Sequence, residues 1–266
     1  MTRASISFKE AFYWDSYEKM SDHRTKGWFL VDSPTDVALI VSTYLLMVWM
    51  GPKIMKKRKP FKMKGVLIVY NFIMMLLNFL ILKDIFIGSS RLSYRYLCHR
   101  SKLEFNPEED RVMNAMWWFY ISKCIEFTDT LFFILRKKND QLSVLHVYHH
   151  STMFPICWTS MKWYPSGAAV RLPMLNCFVH VVMYFYYGLS AIGPSVKKLL
   201  WWKRYLTLLQ LIQFVISLSW STYSLLQGCN HPAWIDVTNI LYMCSFLFLF
   251  GRFYFSKYLN NVKSKL

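Results

Sequence analysis

Apolar positions along the chain gather into seven blocks, at roughly 33–52, 65–87, 113–135, 142–162, 168–192, 205–227 and 233–255. Each matches the length of about twenty residues that an α-helix needs to cross bilayer hydrocarbon. The pattern predicts an all-α polytopic membrane protein with seven transmembrane helices. Residues 1–32 form an N-terminal arm, 33–255 the helical core and 256–266 a tail, in a single membrane domain. Gly51-Pro52 is expected to close the first span. Two blocks depart from simple apolarity: the third holds Lys123, Glu126 and Asp129, and the fifth holds Arg171 and Pro173. Charges at membrane depth cost a few kcal/mol each on insertion scales, so these residues require a protected interior or a function.

Composition narrows the class further. Of 266 residues, 55% are hydrophobic and only 18% charged, far too apolar for disorder and below the charged share of a soluble domain. Seven spans and their short loops consume the chain, leaving no separate soluble domain. The first thirty residues lack the apolar core of a signal peptide, so the first span is expected to start insertion. The charge is lopsided: 32 Lys and Arg face 15 Asp and Glu, a net +17. Eighteen of the basic residues fall in the loops after spans one, three and five and in the tail, against eleven on the other side. The positive-inside rule then places the N-terminus on the lumenal or external side and the C-terminus in the cytosol. The same cationic face can also attract a polyanionic cytosolic substrate or anionic headgroups.

Cys124, Cys157, Cys177 and Cys244 fall inside spans and read as small buried hydrophobes. Cys98 and Cys229 fall in two loops on the non-cytosolic side, where an oxidising compartment would allow a disulfide between them. Of seven histidines, His23, His99 and His231 lie in loops and need no special role. The other four, His146, His149, His150 and His180, lie inside spans. Positions 149 and 150 each fall within about 60° of position 146 on a helix, so the three share one stripe about 100° wide. Span three adds Lys123, Glu126, Asp129 and Thr130. Span five adds Asn176, His180, Tyr184 and Tyr187, and span six adds Thr207, Gln210 and Gln213. Hydrocarbon satisfies none of these groups, so four polar stripes must face one another. Helix-to-helix glue would explain one Gln or Asn, but it is a poor account of four histidines beside three ionisable groups.

Two chemistries suit such a set. H-x-x-H-H occurs in membrane di-iron desaturases and hydroxylases, but those sites need about eight histidines, more than this chain holds, and no C-x-x-C pair is present. Imidazole can instead move protons near neutral pH and attack an activated acyl group as a nucleophile. No Ser or Cys sits in a nucleophile elbow. Seven spans with an external N-terminus also fit a receptor, yet no acidic-Arg-aromatic triplet follows span three and no N-P-x-x-Y closes span seven. A transporter would explain intramembrane charge, but the two halves show no repeat.

Four stretches carry a resemblance: Lys123–Thr130 (K-C-I-E-F-T-D-T), His146–His150 (H-V-Y-H-H), Asn176–Tyr187 (N-C-F-V-H-V-V-M-Y-F-Y-Y) and Thr207–Phe214 (T-L-L-Q-L-I-Q-F). In order and spacing they resemble the signature motifs of the very-long-chain fatty acid elongases, the condensing enzymes of the endoplasmic reticulum, over about Pro34 to Tyr254. Val-Tyr between the histidines resembles the branch that handles polyunsaturated or very long chains. Arg171-Leu172-Pro173 departs from the small or Gly-containing sequence common in relatives. The resemblance implies an endoplasmic reticulum membrane protein in which six of seven helices form a barrel around an acyl tunnel closed at its lumenal end. It implies condensation of an acyl-CoA with malonyl-CoA to a 3-ketoacyl-CoA, releasing carbon dioxide and CoA, with no cofactor and no metal. Its partners would be the two CoA thioesters, membrane lipid, other enzymes of the elongation cycle and a second copy of the chain, with no nucleic acid.

Residues and resemblance together suggest roles. His149 is the first choice for an acyl-accepting nucleophile, with His150 close behind. His180 and Asn176 handle a proton or an oxyanion. His146, Glu126 and Asp129 orient the imidazoles, Lys123 pairs with those carboxylates, and Tyr184, Tyr187, Gln210 and Gln213 support the site. Lys137, Lys138, Lys203 and Arg204 are candidates for the CoA phosphates. The final Ser264-Lys265-Leu266 spells a peroxisomal address, which insertion of seven spans at the endoplasmic reticulum argues against.

Overall fold

In the computed structural model of the chain, the structure describes residues 20–94, 98, 106–229 and 231–259. His99 and Ser264-Lys265-Leu266 lie outside them. The described residues are helical, without strands. The apolar blocks become helices α1 (Pro34–Met55), α2 (Lys64–Arg91), α3 (Pro107–Ile125), α4 (Phe127–Leu135), α5 (Val144–Trp163), α6 (Arg171–Ile192), α7 (Lys203–Leu226) and α8 (Ala233–Tyr254). Five of the rods, α1, α2, α6 with its lead-in turn, α7 and α8 with its extension, are long and apolar enough to cross a membrane.

Local chemistry sets the ends. Asn106 caps α3 by accepting a hydrogen bond from Glu108 N at 2.9 Å, Pro107 follows at the first helical position, and Glu108, Glu109 and Asp110 fill the first turn where the helix dipole favours acids. Ser143 caps α5 through His146 N. Gly193, at φ +126°, ends α6 in a conformation that side chains resist.

Two expectations about spans are corrected. Gly51-Pro52 does not close the first helix, which runs on to Met55. A Cβ at Gly51 would meet Ile134 Cγ2 at 2.8 Å, so this glycine serves close packing of α1 on α4. The third block is not one rod over 113–135: its helix starts at Pro107 and breaks at Glu126, where Asp129 N bonds Glu126 O in a tighter turn. Arg171 opens the fifth helix, after a 3₁₀ turn at Gly167–Val170, and this puts Pro173 in the first turn, where its missing N–H costs nothing.

Helix α2 packs on α3 and α6, α3 on α5, α6 on α7, and α7 on α8, while α1 lies against α4 and α5. The main core gathers Ile81, Ile85, Val112, Phe119, Tyr120, Phe154, Trp158 and Met161 among others. The segment before α1 caps one end of it. Trp117, Tyr120 and Trp158 donate to the carbonyls of Phe29, Leu30 and Val31, and Asp22 N donates to Lys162 O at 2.9 Å. Within the cap a buried Arg24 grips Asp22 through Nε at 3.0 Å and Nη2 at 2.6 Å. Burial alone would raise the Asp22 pKa, but the side-chain and backbone hydrogen bonds from Arg24 and its charge outweigh that and hold it below the ordinary carboxylate value. Nearby, a disulfide joins Cys98 to Cys229, tying the α2–α3 connection to the α7–α8 connection.

Candidate active site

The break at Glu126 is the organising feature. It separates Asp129 from the other two ionisable residues of this block, which pair with each other. Lys123 and Glu126 are almost wholly buried, and Lys123 Nζ donates to Glu126 Oε1 at 2.7 Å and to Asn176 Oδ1 of α6 at 3.0 Å. Glu126 Oε1 also stands 3.2 Å from His180 Nδ1, off the line of a good hydrogen bond. Lys123 was expected to pair with both carboxylates, but it pairs with Glu126 alone. Asp129, past the break, instead accepts from the Tyr184 hydroxyl at 2.8 Å. A paired cation offsets much of what burying a carboxylate would otherwise cost.

The α5 histidines do share a face. The rings of His146 and His150 lie 4.3 Å apart between centroids, and those of His149 and His150 4.8 Å. Their outer partners differ. His146 Nε2 is 2.8 Å from Thr130 Oγ1, which lies 3.3 Å from the Tyr44 hydroxyl of α1. The His150 ring is flanked by Tyr44 and Phe127. The His149 ring lies 5.5 Å from Phe246 of α8.

A cavity of about 120 Å³ opens beside His149. Around its start stand Phe119, Asn176, Gln213, Phe214 and Phe246, and it continues past Met153, Ile156 and Met161 toward Arg171 and Trp234. Its walls are mostly apolar, as suits a hydrocarbon ligand. The polar groups at the His149 end are few and specific. With Oδ1 of Asn176 committed to Lys123, its amide N–H groups are what Asn176 can offer a ligand, and Gln213 carries another amide. The arrangement sets the His149 imidazole at one end of a greasy slot, next to hydrogen-bond donors, with the carboxylate-flanked His180 nearby.

Not every predicted residue belongs to it. Tyr187 has the right angular position but lies a turn beyond Tyr184 toward the end of α6, where it is 42% exposed. Gln210 donates to Met183 Sδ at 3.7 Å and does not line the cavity. Thr207 is buried but apart from the lining. Lys137 Nζ donates to the carbonyls of Lys56 and Arg58, and Arg204 Nε to the Tyr254 hydroxyl. Lys138, Lys203 and Arg204 are exposed. Among the described residues, no three His, Cys, Asp or Glu side chains converge as metal ligands.

Three features escaped sequence reasoning. Tyr44 follows Ser42 and Thr43 in the first apolar block, and nothing in that run of hydroxyls singled it out. Phe246 and its neighbours on α8 close the slot but read simply as span. His231, passed over as a loop residue, is buried against Asp236 Oδ2 at 2.8 Å, and Asp236 Oδ1 in turn holds Arg171 Nη2 at 3.1 Å.

A profile of the GNS1/SUR4 (ELO) family matches residues 29–266. This chain belongs to that family. It is 48% identical over 246 residues to human very long chain fatty acid elongase 4, covering 92% of this chain and 78% of that protein. It is 43% identical over 237 residues to rat very long chain fatty acid elongase 5, covering 89% and 79%. Mouse very long chain fatty acid elongase 2 is 41% identical over 238 residues, covering 89% and 80%. ELO membership spans α1 to α8 and includes every residue of the cluster around Glu126.

Proposed function

We propose that this ELO protein is the condensing enzyme of fatty acid elongation, joining a long-chain acyl-CoA to malonyl-CoA. The observation that carries this reading is His149 at the mouth of a long apolar slot, one turn from His146 and beside Asn176. Acyl thioester enters with its tail in the slot. His149 Nε2 attacks the thioester carbon, the C–S bond breaks and CoA leaves as the thiol, taking a proton. The acyl-imidazole lacks amide resonance and stays a reactive donor. Malonyl-CoA then loses carbon dioxide, and the electron pair of the broken C–C bond becomes an enolate that attacks the acyl carbon. The C–N bond to His149 breaks and the departing ring nitrogen takes up a proton relayed by His180 from solvent, giving 3-ketoacyl-CoA and restoring the neutral imidazole. Amide donors of Asn176 and Gln213 stabilise the developing oxyanion. His180, set against Glu126, serves proton transfer, and the Tyr184–Asp129 pair holds the wall behind it. No cofactor takes part.

The same reading gives seven spans. Helices α3 with α4 and α5 score poorly for hydropathy because their charges face the interior, as the burial of Lys123 and Glu126 supports. In this arrangement α2, α3 with α4, α5, α6, α7 and α8 form the barrel and α1 lies outside it. The Cys98–Cys229 disulfide suits an oxidising lumen on that side. The N-terminus is then lumenal and the cationic loops face the cytosol, where Lys137, Lys138, Lys203 and Arg204 can meet CoA phosphates. The membrane is that of the endoplasmic reticulum.

One measurement tests the covalent step. Purified protein given acyl-CoA without malonyl-CoA should release CoA in a burst of one equivalent, and His149→Ala should abolish the burst. Release at the wild-type rate from the variant would overturn the acyl-imidazole.

A further inference from the structure

The slot that starts at His149 meets charge at its far end. Arg171 lines it there and is held by Asp236, which is held by His231, with Ser224 3.3 Å from the His231 ring. From His149 to Ser160, both lining residues on α5, eleven residues of helix rise about 16 Å. An apolar tail reaching that depth gains nothing by pressing on a buried ion pair, since shielding paired charges from their polar surroundings is unfavourable.

The side wall is different. Trp234 and Thr238, one turn apart on α8, both line the slot and are both exposed, Trp234 by 42%. From α5 the same stretch of slot takes the half-buried Ile156, Thr159 and Ser160. A group that lines a cavity and is also open to the outside marks an opening. The two helices are clasped at the other end of the seam: Tyr148 to Ser245 at 2.8 Å and Thr152 to Tyr242 at 2.8 Å. Their backbones do not pack closely, unlike those of α7 and α8 or α3 and α5.

We infer that the unclasped half of the α5–α8 seam, between Ile156–Ser160 and Trp234–Thr238, is a lateral portal through which the methyl end of a long acyl chain passes from the slot into bilayer hydrocarbon. This rests on the reading of the slot as the acyl site, and departs from a tunnel closed at that end. Lipid tails are as apolar as the slot wall, so each further methylene moves between equivalent surroundings. The bore then measures only the first part of the chain, and tail length beyond it is not limited by the cavity.

The test uses wild-type protein in phosphatidylcholine nanodiscs. The discs are loaded with acyl-CoAs of increasing length carrying a diazirine at the methyl end, and unbound probe is stripped with fatty-acid-free albumin. After irradiation, mass spectrometry compares label on protein with label on phosphatidylcholine. Short probes should label slot residues such as Met161 and Ile235. For the longest probes the lipid-to-protein ratio should rise roughly tenfold as the tail leaves the protein for hydrocarbon. Label confined to protein at every length would overturn the portal while leaving the acyl site in place. Retention no greater than in empty discs would overturn both.

Discussion

Two buried groups in this molecule are built from the same parts. In one, Lys123 is paired with Glu126 and Glu126 stands beside His180; in the other, Arg171 is paired with Asp236 and Asp236 with His231. All six side chains are at most 7% exposed. A cation, a carboxylate and an imidazole taken out of water are therefore no sign of chemistry by themselves, since pairing is what burial demands of any such set. What separates them is position. The Glu126 group shares Asn176 with the slot and lies near a second imidazole, that of His149. The Asp236 group fastens the start of α6 to the first turn of α8 and closes the slot's far end. The first stands at the edge of the slot, and the second holds helices whose backbones barely meet.

The strongest way to break this distinction is to neutralise each carboxylate while keeping its shape. Glu126→Gln should lower turnover per folded molecule on the order of a hundredfold or more, the usual scale for losing a group that tunes an acid–base catalyst. Asp236→Asn removes the buried charge that faces Arg171, so its main effect should be on stability, a loss of about 3 kcal/mol. Its turnover loss should be the smaller of the two. Thermal unfolding in detergent and turnover normalised to folded protein give both quantities, and the reverse ranking would merge the two groups into one functional class.

The contrast also explains what could be read in advance. Lys123, Glu126 and the α5 histidines sit at i, i+3 and i+4 spacings inside apolar blocks, so helix geometry alone places them inside and in reach of one another. Asn176 and His180 follow the same logic on α6. Arg171, Asp236 and His231 carry no such pattern. Arg171 and Asp236 are 65 positions apart, His231 lies before α8, and their pairing depends on how helices end, which spacing does not encode. Gly51-Pro52 misled for a related reason: a proline near a helix end forfeits one hydrogen bond, which packing of α1 on α4 outweighs. The break at Glu126 was hidden because nothing in I-E-F-T-D favours it locally; tertiary bonding does.

A smaller effect sharpens the comparison from the histidine side. Tyr44 is the buried hydroxyl that α1 brings to the site, and it reaches His146 only through Thr130. It is expected to act as a positioning residue: by donating to Thr130 Oγ1 it would turn the single Thr130 proton toward His146 Nε2 and so set the His146 tautomer. Tyr44→Phe keeps the ring stacked on Phe127 and should slow acylation about three- to tenfold, the range of one hydrogen bond, with KM little changed. In a Thr130→Val background the same change should have no further effect. A full additional loss there would mean that Tyr44 acts through packing.

The smallest effect on turnover concerns an ion pair outside the membrane helices. Asp22 and Arg24 lie in the cap before α1, and the Asp22 pKa is held below its ordinary value. The unfolded chain therefore binds this proton more readily than the folded one, and stability rises with pH across the ordinary carboxylate range. The contribution, about 1–2 kcal/mol for charge-assisted hydrogen bonds of this kind, is complete above that range and disappears as pH falls through the lowered pKa. Asp22→Asn should be less stable than wild type at neutral pH, and the gap should close on acidification. Turnover at neutral pH should fall less than in Glu126→Gln, because the cap touches the core around Trp158 and not the slot at His149. A gap that persists unchanged in acid would show that Asp22 contributes through shape, and the cap would then owe nothing to its charge.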